Sequence, residues 1–382
     1  MNILLYTTFY PAPVEMGTQR DTMMFHYFAK ALQEAGHRVQ VVFLSLSLVQ
    51  RVFRNRCRDI LPTETDYVYE GIPVHLIRAQ FVTPHRRYPH SFQAALINRR
   101  LRAFKSALGW KADRVFVHIP TSFTGITEIF ADGVPVLGDF HNMDVLALKM
   151  RGGEKAARFI RQFPTWGYRN SRVQTGLKAI EDRPMLHICS GIDRSLLAPE
   201  QAVREKLDRF PEPMRILYAG NLIPLKNVDI LIQAVQKLRF PWEFTIVGDG
   251  PEQERLQSLA AGSSNIHFTG RLKREETVAR MREADVFIML SSPETYGLVY
   301  LEAMAQGCLT VASKGEGFDG LIVDGQNGFL AQPFSVEEAV AVLERIDKLN
   351  PEQRRDIAQR GYSFACSMTE DQTAQKLLEQ NR

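Results

Sequence analysis

The chain alternates short apolar runs with longer amphipathic stretches, and it does so in two successive series. The short runs are rich in β-branched and aromatic residues, which predicts buried strands. Residues 20–35 predict a helix that ends at Gly36. The predicted strands are residues 3–6, 39–44, 115–118 and 134–137 in the first series and residues 216–219, 244–247, 266–269, 286–290 and 309–312 in the second.

Strands that alternate with helices predict βαβ units and a parallel sheet in each half of the chain. The length of 382 residues exceeds the usual size of one core, so two domains are expected. Prolines flank a charged stretch at residues 199–213, which is the expected hinge. The predicted architecture is α/β, with two Rossmann-like domains facing one another across a cleft. In such sheets ligands bind beyond the carboxyl ends of the strands.

Two carboxylates, Glu294 and Glu302, bracket the point where a loop is expected to become a helix. Residues 299–306 are rich in helix formers and stop at Gly307, so the amides of Gly297 and Leu298 should open the helix. A helix N-terminus attracts anions, above all phosphates. The two carboxylates are placed to accept hydrogen bonds from hydroxyls on either side of a bound diphosphate. The alternative is a dipole-complementing Glu294 and a solvated Glu302.

The composition, 45% hydrophobic and 24% charged, is that of a soluble globular protein. The four cysteines are scattered without zinc-type spacing, which favours a reducing compartment. The first residues lack the pattern of a signal peptide, and no apolar run is long enough for a membrane span. The expected location is the cytoplasm, with any membrane contact peripheral.

The formal charge of +4 is unevenly distributed. No acidic residue lies between Glu70 and Asp113, and residues 92–104 combine basic and apolar positions at helical spacing. A basic amphipathic helix can lie on anionic lipid, bind a phosphate-bearing acceptor, bind nucleic acid or simply present a solvated face. No recognised nucleic-acid module accompanies it, so nucleic acid is not expected. The segment 86–111 is the predicted contact with an anionic inner-membrane surface.

Five motifs follow one another in the second half, and the first half carries weaker ones. The second half resembles the donor domain of the GT-B retaining glycosyltransferases of family 4, within the glycosyl transferases group 1. The resemblance implies an acceptor-side domain at residues 1–195, completed by a C-terminal helix at 366–382, and a donor domain at 199–364. Its motifs lie at residues 220–227, 247–251, 268–270, 294–307 and 324–329, with weaker matches at Gly17, residues 36–39, His141 and residues 191–193.

The resemblance implies roles for single residues. Lys226 would place its ammonium on the diphosphate, Glu302 would accept from the ribose hydroxyls and Glu294 from a sugar hydroxyl. His141 would meet the donor sugar or its phosphate. The family usually carries arginine where this chain has Asn221, so Lys226 and the helix amides would carry more of the phosphate neutralisation. The further donor-binding positions are Gly17, Asn221, Gly248, Gly250, Tyr296, Gly297, Leu298 and Glu316.

The predicted activity is transfer of a sugar from a nucleoside-diphosphate sugar to an acceptor hydroxyl with retention, in surface polysaccharide or glycolipid assembly. The chain has no Asp-x-Asp pair, so no metal or other cofactor is expected. The expected partners are the donor and a saccharide or lipid-linked acceptor. Two alternatives stay open: a sugar-nucleotide epimerase of the same fold, and a nucleotide-sugar-binding protein without turnover. The base, sugar, acceptor and oligomeric state are not determined by these motifs.

Overall fold

The computed structural model describes residues 1–13, 24–48, 63–81, 91–209 and 212–380. Within these ranges the chain forms fourteen strands and thirteen helices longer than one turn, with short 3₁₀ turns between them. The strands are β1 Asn2–Thr7, β2 Arg38–Leu48, β3 Thr63–Tyr69, β4 Ile72–Phe81, β5 Arg114–His118, β6 Val136–Phe140, β7 Thr165–Tyr168, β8 Leu186–His187, β9 Met214–Ala219, β10 Trp242–Val247, β11 Ile266–Gly270, β12 Val286–Ile288, β13 Leu309–Ser313 and β14 Phe329–Ala331.

The helices connect these strands in the order expected of βαβ units. They are α1 Met24–Glu34, α2 Ser91–Ala107, α3 Asn142–Arg151, α4 Gly153–Ile160, α5 Ser171–Lys178, α6 Glu200–Leu207, α7 Val228–Val235, α8 Gln253–Leu259, α9 Arg274–Glu283, α10 Leu298–Met304, α11 Val336–Asp347, α12 Pro351–Cys366 and α13 Glu370–Gln380.

The chain divides into two compact units. Unit 1 comprises Met1–Cys189 and Thr373–Arg382, and unit 2 comprises Ser190–Gln372. The sequence predicts that the first domain ends at residue 195, that the second domain begins at residue 199 and that a helix from residue 366 completes the first domain. In the structure residues 366–372 belong to unit 2, and only the end of the chain returns to unit 1.

The sheet of unit 1 has eight strands in the order β3-β4-β2-β1-β5-β6-β7-β8. Both faces are buried, because Leu4 and Tyr6 point into one hydrophobic cluster while Ile3 and Leu5 point into the other. The last helix, α13, contributes Ala374 and Leu377 to the second cluster, which explains why the end of the chain belongs to this unit.

One part of the predicted topology is wrong. The sheet of unit 1 is mixed rather than parallel, because β3 pairs antiparallel with β4 at its edge. The connection is a tight turn in which Glu70 and Gly71 both have positive φ, 44° and 83°. Two such residues between strands are typical of a type I′ hairpin turn. The alternation of β3, half exposed, fits an edge strand.

The sheet of unit 2 is parallel throughout, in the order β11-β10-β9-β12-β13-β14. From β9 the chain builds outward to β10 and β11 on one side, then returns to add β12, β13 and β14 on the other. The order therefore reverses between β9 and β12. The connections that follow β9 and β12 run in opposite directions along the sheet. A crevice therefore opens between them at the carboxyl ends of these two strands.

Candidate functional site

The sequence-predicted residues of unit 2 lie in the loops that follow β9, β10, β12 and β13, except Leu298 and Glu302, which lie in α10. All four loops leave the carboxyl edge of the parallel sheet, where ligands bind in open α/β folds. Lys226 follows β9 and Glu294 follows β12, so these two lie on either side of the reversal in strand order. The topology therefore brings together two residues that are 68 positions apart.

The centre of the site is an ion pair between Lys226 and Glu294. Lys226 Nζ donates to Glu294 Oε2 at 2.7 Å, and Ser291 Oγ donates to the same oxygen at 2.8 Å. The amide of Thr295 donates to Glu294 Oε1 at 3.1 Å. Burial disfavours the charged carboxylate, but the charge of Lys226 and these hydrogen bonds outweigh burial and lower the pKa of Glu294. Glu294 is therefore a carboxylate at neutral pH.

Hydrogen bonds to the loop after β12 hold the loop that carries Lys226. Residues Pro224–Lys226 form a 3₁₀ turn, and the next residue, Asn227, adopts a left-handed conformation with φ 50°. Asn227 Nδ2 donates to the carbonyl of Leu290 at 2.7 Å, and the amide of Ser292 donates to the carbonyl of Leu225 at 2.9 Å. These two contacts join the loop after β9 to the loop after β12.

Glu316 is buried, with 5% of its surface exposed, and holds the loop of Glu294. Its two carboxylate oxygens accept from Ser292 Oγ at 2.6 Å and from the amide of Glu294 at 2.9 Å. The amide of Gly317 in turn donates to the carbonyl of Glu294 at 3.1 Å. These contacts hold the loop that carries Glu294, and the donor-binding role of Glu316 stays a prediction.

Helix α10 begins directly after Gly297, whose φ of 84° requires glycine. A Cβ on this residue would also lie 2.4 Å from the ring of Tyr300. The amide of Leu298 is at the first turn of the helix, as the sequence predicted. Tyr296, also a predicted donor contact, has its side chain buried against Phe318, with ring centroids 5.7 Å apart. Its side chain packs the core under the loop.

The second glutamate of the pattern, Glu302, lies apart from the ion pair and has its own cation. Arg274 Nη2, on α9, donates to Glu302 Oε1 at 2.6 Å. Sequence reasoning missed Arg274, because no motif surrounds it. Glu294 and Glu302 thus have different basic partners. Lys226 lies between β9 and α7, and Arg274 lies on α9.

Two glycines of the loop after β10 allow close packing of backbones. A Cβ on Gly248 would lie 1.9 Å from the carbonyl oxygen of Gly220, and one on Gly250 would lie 2.3 Å from that of Leu222. Both glycines have positive φ, 140° and 156°. The neighbouring Asn221 has an exposed side chain, and its carbonyl accepts from Tyr218 Oη at 3.1 Å.

Unit 1 holds a second polar cluster at the carboxyl ends of β1, β5 and β6. Thr7 Oγ1 lies 3.0 Å from the carbonyl oxygen of Phe9 and 3.0 Å from His118 Nδ1, so it hydrogen-bonds to both groups. Burial, followed by the neighbouring His141, lowers the pKa of His118 well below its usual value. This imidazole is neutral, and its Nε2 has no hydrogen-bond partner among the residues that the structure describes.

A buried ion pair completes this cluster. Arg169 Nε donates to both oxygens of Asp139, at 3.0 and 3.1 Å, and Nη2 donates to Oδ2 at 2.5 Å. Burial opposes ionisation of Asp139, but the charge of Arg169 outweighs it and lowers the pKa of the carboxyl far below its usual range. His141 Nε2 lies 3.4 Å from Asp139 Oδ2, and its ring stands perpendicular to that of His118 at 4.5 Å.

The donor atoms of His118, Asp139 and His141 lie within 4.8 Å of one another, a ligand set that can suit zinc. Arg169, however, occupies both oxygens of Asp139 and already neutralises its charge. A divalent cation would be held beside a guanidinium in a buried site, where the repulsion is poorly screened. These contacts fit internal charge balance better than a metal centre.

His141 also caps helix α3 with its backbone. Its amide donates to Asp144 Oδ2 at 2.7 Å, while the amide and hydroxyl of Thr121 donate to Asp144 Oδ1 at 2.8 and 2.6 Å. Burial nevertheless raises the pKa of Asp144 to about 6. His141 thus has its backbone fixed by one aspartate and its ring beside another.

The predicted basic helix is present as α2, and part of its apolar surface is buried in the protein. On α2, Ile97 and Leu101 are buried in the core of unit 1. Arg100 pairs with Glu64 at 2.9 Å, Arg102 pairs with Glu128, and Lys105 pairs with Asp132 at 2.5 Å. Ile97 and Leu101 are therefore not exposed for contact with lipid, and the membrane contact of residues 86–111 stays a prediction. Gly17 and residues 86–90 lie outside the described residues.

Among the residues that the structure describes, no helix is both long and apolar enough to cross a bilayer.

Comparison with solved structures identifies the fold. The chain is similar over 99% of its length to the Anabaena protein Alr3699/HepE in complex with UDP, with 18% identity, a TM-score of 0.71 and 98% of that chain covered. It is similar over 99% to sucrose-phosphate synthase from Thermosynechococcus elongatus, with 15% identity, a TM-score of 0.68 and 98% of that chain covered. The fold is GT-B, as predicted, with two Rossmann-like units.

Comparison of sequences identifies the family of unit 2. Residues 199–364 match the family model of the Glycosyl transferases group 1, so the predicted resemblance is confirmed at this level and unit 2 carries a group 1 domain. The narrower assignment to family 4 stays a prediction.

Named relatives fall into two groups by coverage. Sulfoquinovosyl transferase SQD2 of Arabidopsis thaliana is 33% identical over 44% of this chain and 33% of its own length. The glycogen synthase of Mycobacterium tuberculosis is 27% identical over 94% of this chain and 89% of its own length. The chain spans between 33% and 48% of the length of the first six curated relatives it matches.

Proposed function

We propose that this chain is a glycosyltransferase that moves a sugar from a nucleoside-diphosphate sugar to an acceptor hydroxyl, with retention at the anomeric carbon. The observation that carries the proposal is the Lys226–Glu294 pair at the reversal of strand order in a group 1 domain. A cation and a hydrogen-bonding carboxylate, both partly accessible, meet where α/β sheets bind their ligands. A diphosphate and a sugar hydroxyl are the matching groups of the donor.

In the proposed reaction the bond between the anomeric carbon and the diphosphate oxygen breaks, and a bond to the acceptor oxygen forms on the same face. The acceptor proton passes to the leaving diphosphate. Lys226 offsets the negative charge that develops on the leaving group, together with the amides that open α10. Glu294 holds a sugar hydroxyl, and Glu302 holds the ribose. His141 stays a predicted contact for the donor sugar. No metal is needed in this scheme.

The relatives support a class of donor and a setting. The HepE structure contains UDP, which makes UDP-sugars the first donors to test. A lipopolysaccharide core glycosyltransferase, LpsE of Rhizobium meliloti, is 32% identical over 42% of this chain. This similarity supports assembly of a surface polysaccharide or glycolipid, with a saccharide or lipid-linked acceptor. A contact of residues 86–111 with an anionic membrane would depend on the exposed side chains of α2, such as Arg99 and Phe92, the second of which is 68% exposed.

The test is native mass spectrometry of the protein with a panel of nucleotide sugars, followed by transfer assays with the donor that binds. Glu294→Gln should retain a folded chain and lose transfer. Proton NMR should show that the sugar in the product has the same anomeric configuration as the sugar in the donor. An isomerised donor without acceptor would support the epimerase instead, and binding without any turnover would support a non-catalytic protein.

A further inference from the structure

Helix α3 presents an apolar stripe to solvent. Met143, Leu146 and Met150 are 48%, 54% and 74% exposed, and their spacing places them on one face of the helix. The opposite face, with Val145 and Leu148, is buried in the core of unit 1. The helix is therefore anchored by one apolar face and leaves a second one uncovered.

Cations flank this stripe without carboxylate partners. Lys149, Lys155 and Arg158 are exposed, and within the described part of the chain no carboxylate pairs with any of them. The one nearby acid on α4, Glu154, lies 3.4 Å from Arg161. On α2, by contrast, three of the cations are paired with carboxylates of the same unit. Lys149 lies on α3 itself, and Lys155 and Arg158 lie on α4, which follows α3 in the chain and packs against it.

We propose that this surface, Met143, Leu146 and Met150 with Lys149, Lys155 and Arg158, binds an anionic lipid bilayer. Two of the three apolar side chains are unbranched and flexible, which suits shallow insertion among acyl chains. The cations complement the phosphates of anionic lipids. Three apolar side chains and three charges give reversible, salt-sensitive attachment. This inference goes beyond the proposed reaction, because attachment requires neither donor nor acceptor.

The experiment is co-sedimentation of the full chain with vesicles of phosphatidylglycerol and phosphatidylcholine, compared with vesicles of phosphatidylcholine alone. The parent should bind the anionic vesicles, and salt should weaken binding. The triple variant Met143→Ser, Leu146→Ser, Met150→Ser should bind at least about tenfold more weakly. Because all three side chains are exposed, its thermal unfolding should match that of the parent. The variant Lys149→Gln, Lys155→Gln, Arg158→Gln should lose a similar factor and tests the proposal independently of the apolar changes.

A matched control changes exposed apolar residues of unit 2. Val323 and Phe334 are 48% and 68% exposed, and the variant Val323→Ser, Phe334→Ser should bind like the parent. The proposal is overturned if the parent does not bind anionic vesicles, or if both α3 variants bind as the parent does. It is also overturned if Arg99→Gln on α2 abolishes binding while the α3 variants do not. Self-association of the parent through α3 without lipid binding would assign the surface to a second copy instead.

Discussion

The two units each hold an ion pair at the carboxyl edge of a sheet, and the pairs differ in how completely they are closed. The side chains of Asp139 and Arg169 in unit 1 are 5% and 6% exposed, and the guanidinium engages both carboxylate oxygens. Those of Glu294 and Lys226 in unit 2 are 13% and 22% exposed, and the ammonium makes one contact. In the buried pair of unit 1 the guanidinium occupies both carboxylate oxygens. The ammonium of Lys226 has three N–H groups and one carboxylate contact among the described residues, so it can also donate to a ligand.

This difference separates a structural pair from a candidate catalytic one. A sealed Arg–carboxylate pair has satisfied its charges internally, and removing one partner leaves the other charge buried. A lysine with three donors and one carboxylate partner can turn toward a phosphate while it keeps its charge. The expected consequences of substitution therefore differ: loss of stability in unit 1, and loss of activity in unit 2.

The largest expected effect is on the stability of unit 1. Asp139→Asn removes the negative charge from the buried pair with Arg169, which should cost about 3 to 5 kcal/mol of unfolding free energy. Hydrogen exchange followed by mass spectrometry measures this loss for each unit separately. Arg161→Gln, at an exposed pair with Glu181, is the control and should change little. Equal effects of the two variants would show that the Asp139 pair is not structurally closed.

The next effect is on activity in unit 2. Lys226→Ala removes the charge placed against the diphosphate, and Glu302→Gln weakens the ribose contact. Each should lower kcat/KM on the order of tenfold to a thousandfold, or about 1.4 to 4 kcal/mol. The matched control is Lys237→Ala, whose lysine pairs with Glu337 at 3.6 Å on the surface. Folded variants with full activity on every donor would remove both residues from the proposed site.

A smaller effect is expected in the pH dependence of unit 1. The pKa of His118 is lowered in the folded state, so below about pH 6.5 the unfolded chain binds a proton that the folded chain does not. Stability should therefore fall as the pH falls, by up to about 1.4 kcal/mol per pH unit from this group. His118→Asn keeps a hydrogen-bonding side chain beside Thr7 and should flatten the slope, measured by urea unfolding at several pH values. His267→Asn, at an exposed histidine, should leave the slope unchanged. A steep slope that persists without His118 would assign the titration elsewhere.

The smallest expected effect is that of metal removal. Treatment with EDTA should leave sugar transfer essentially intact, because Lys226 and the amides of α10 neutralise the leaving group in the proposed mechanism. The assay compares initial rates before and after chelation. A loss of activity that magnesium or manganese restores would contradict the metal-free mechanism.

The predicted strands of the central sheets were largely correct, because buried parallel strands are continuous apolar runs. One error occurred where a charged residue inside a strand has its ion-pair partner in a distant part of the chain. Strand β6 was predicted to end at residue 137, yet it continues through Asp139, whose charge is matched by Arg169 after the next strand. The hairpin at Glu70 and Gly71 was missed, because glutamate is not a usual residue for positive φ.

The sequence by itself determined the order of strands and helices, the group 1 motifs and the position of Glu294 ahead of a glycine-started helix. These features are local, since each depends on neighbouring residues through apolar periodicity and backbone conformation. Tertiary structure alone decided which charges meet: Lys226 with Glu294, Arg274 with Glu302, and Arg169 with Asp139. It also decided that part of the apolar surface of α2 is buried while one face of α3 is exposed. Such pairings depend on strand order in the sheet, and strand order is not written in any short stretch of the chain.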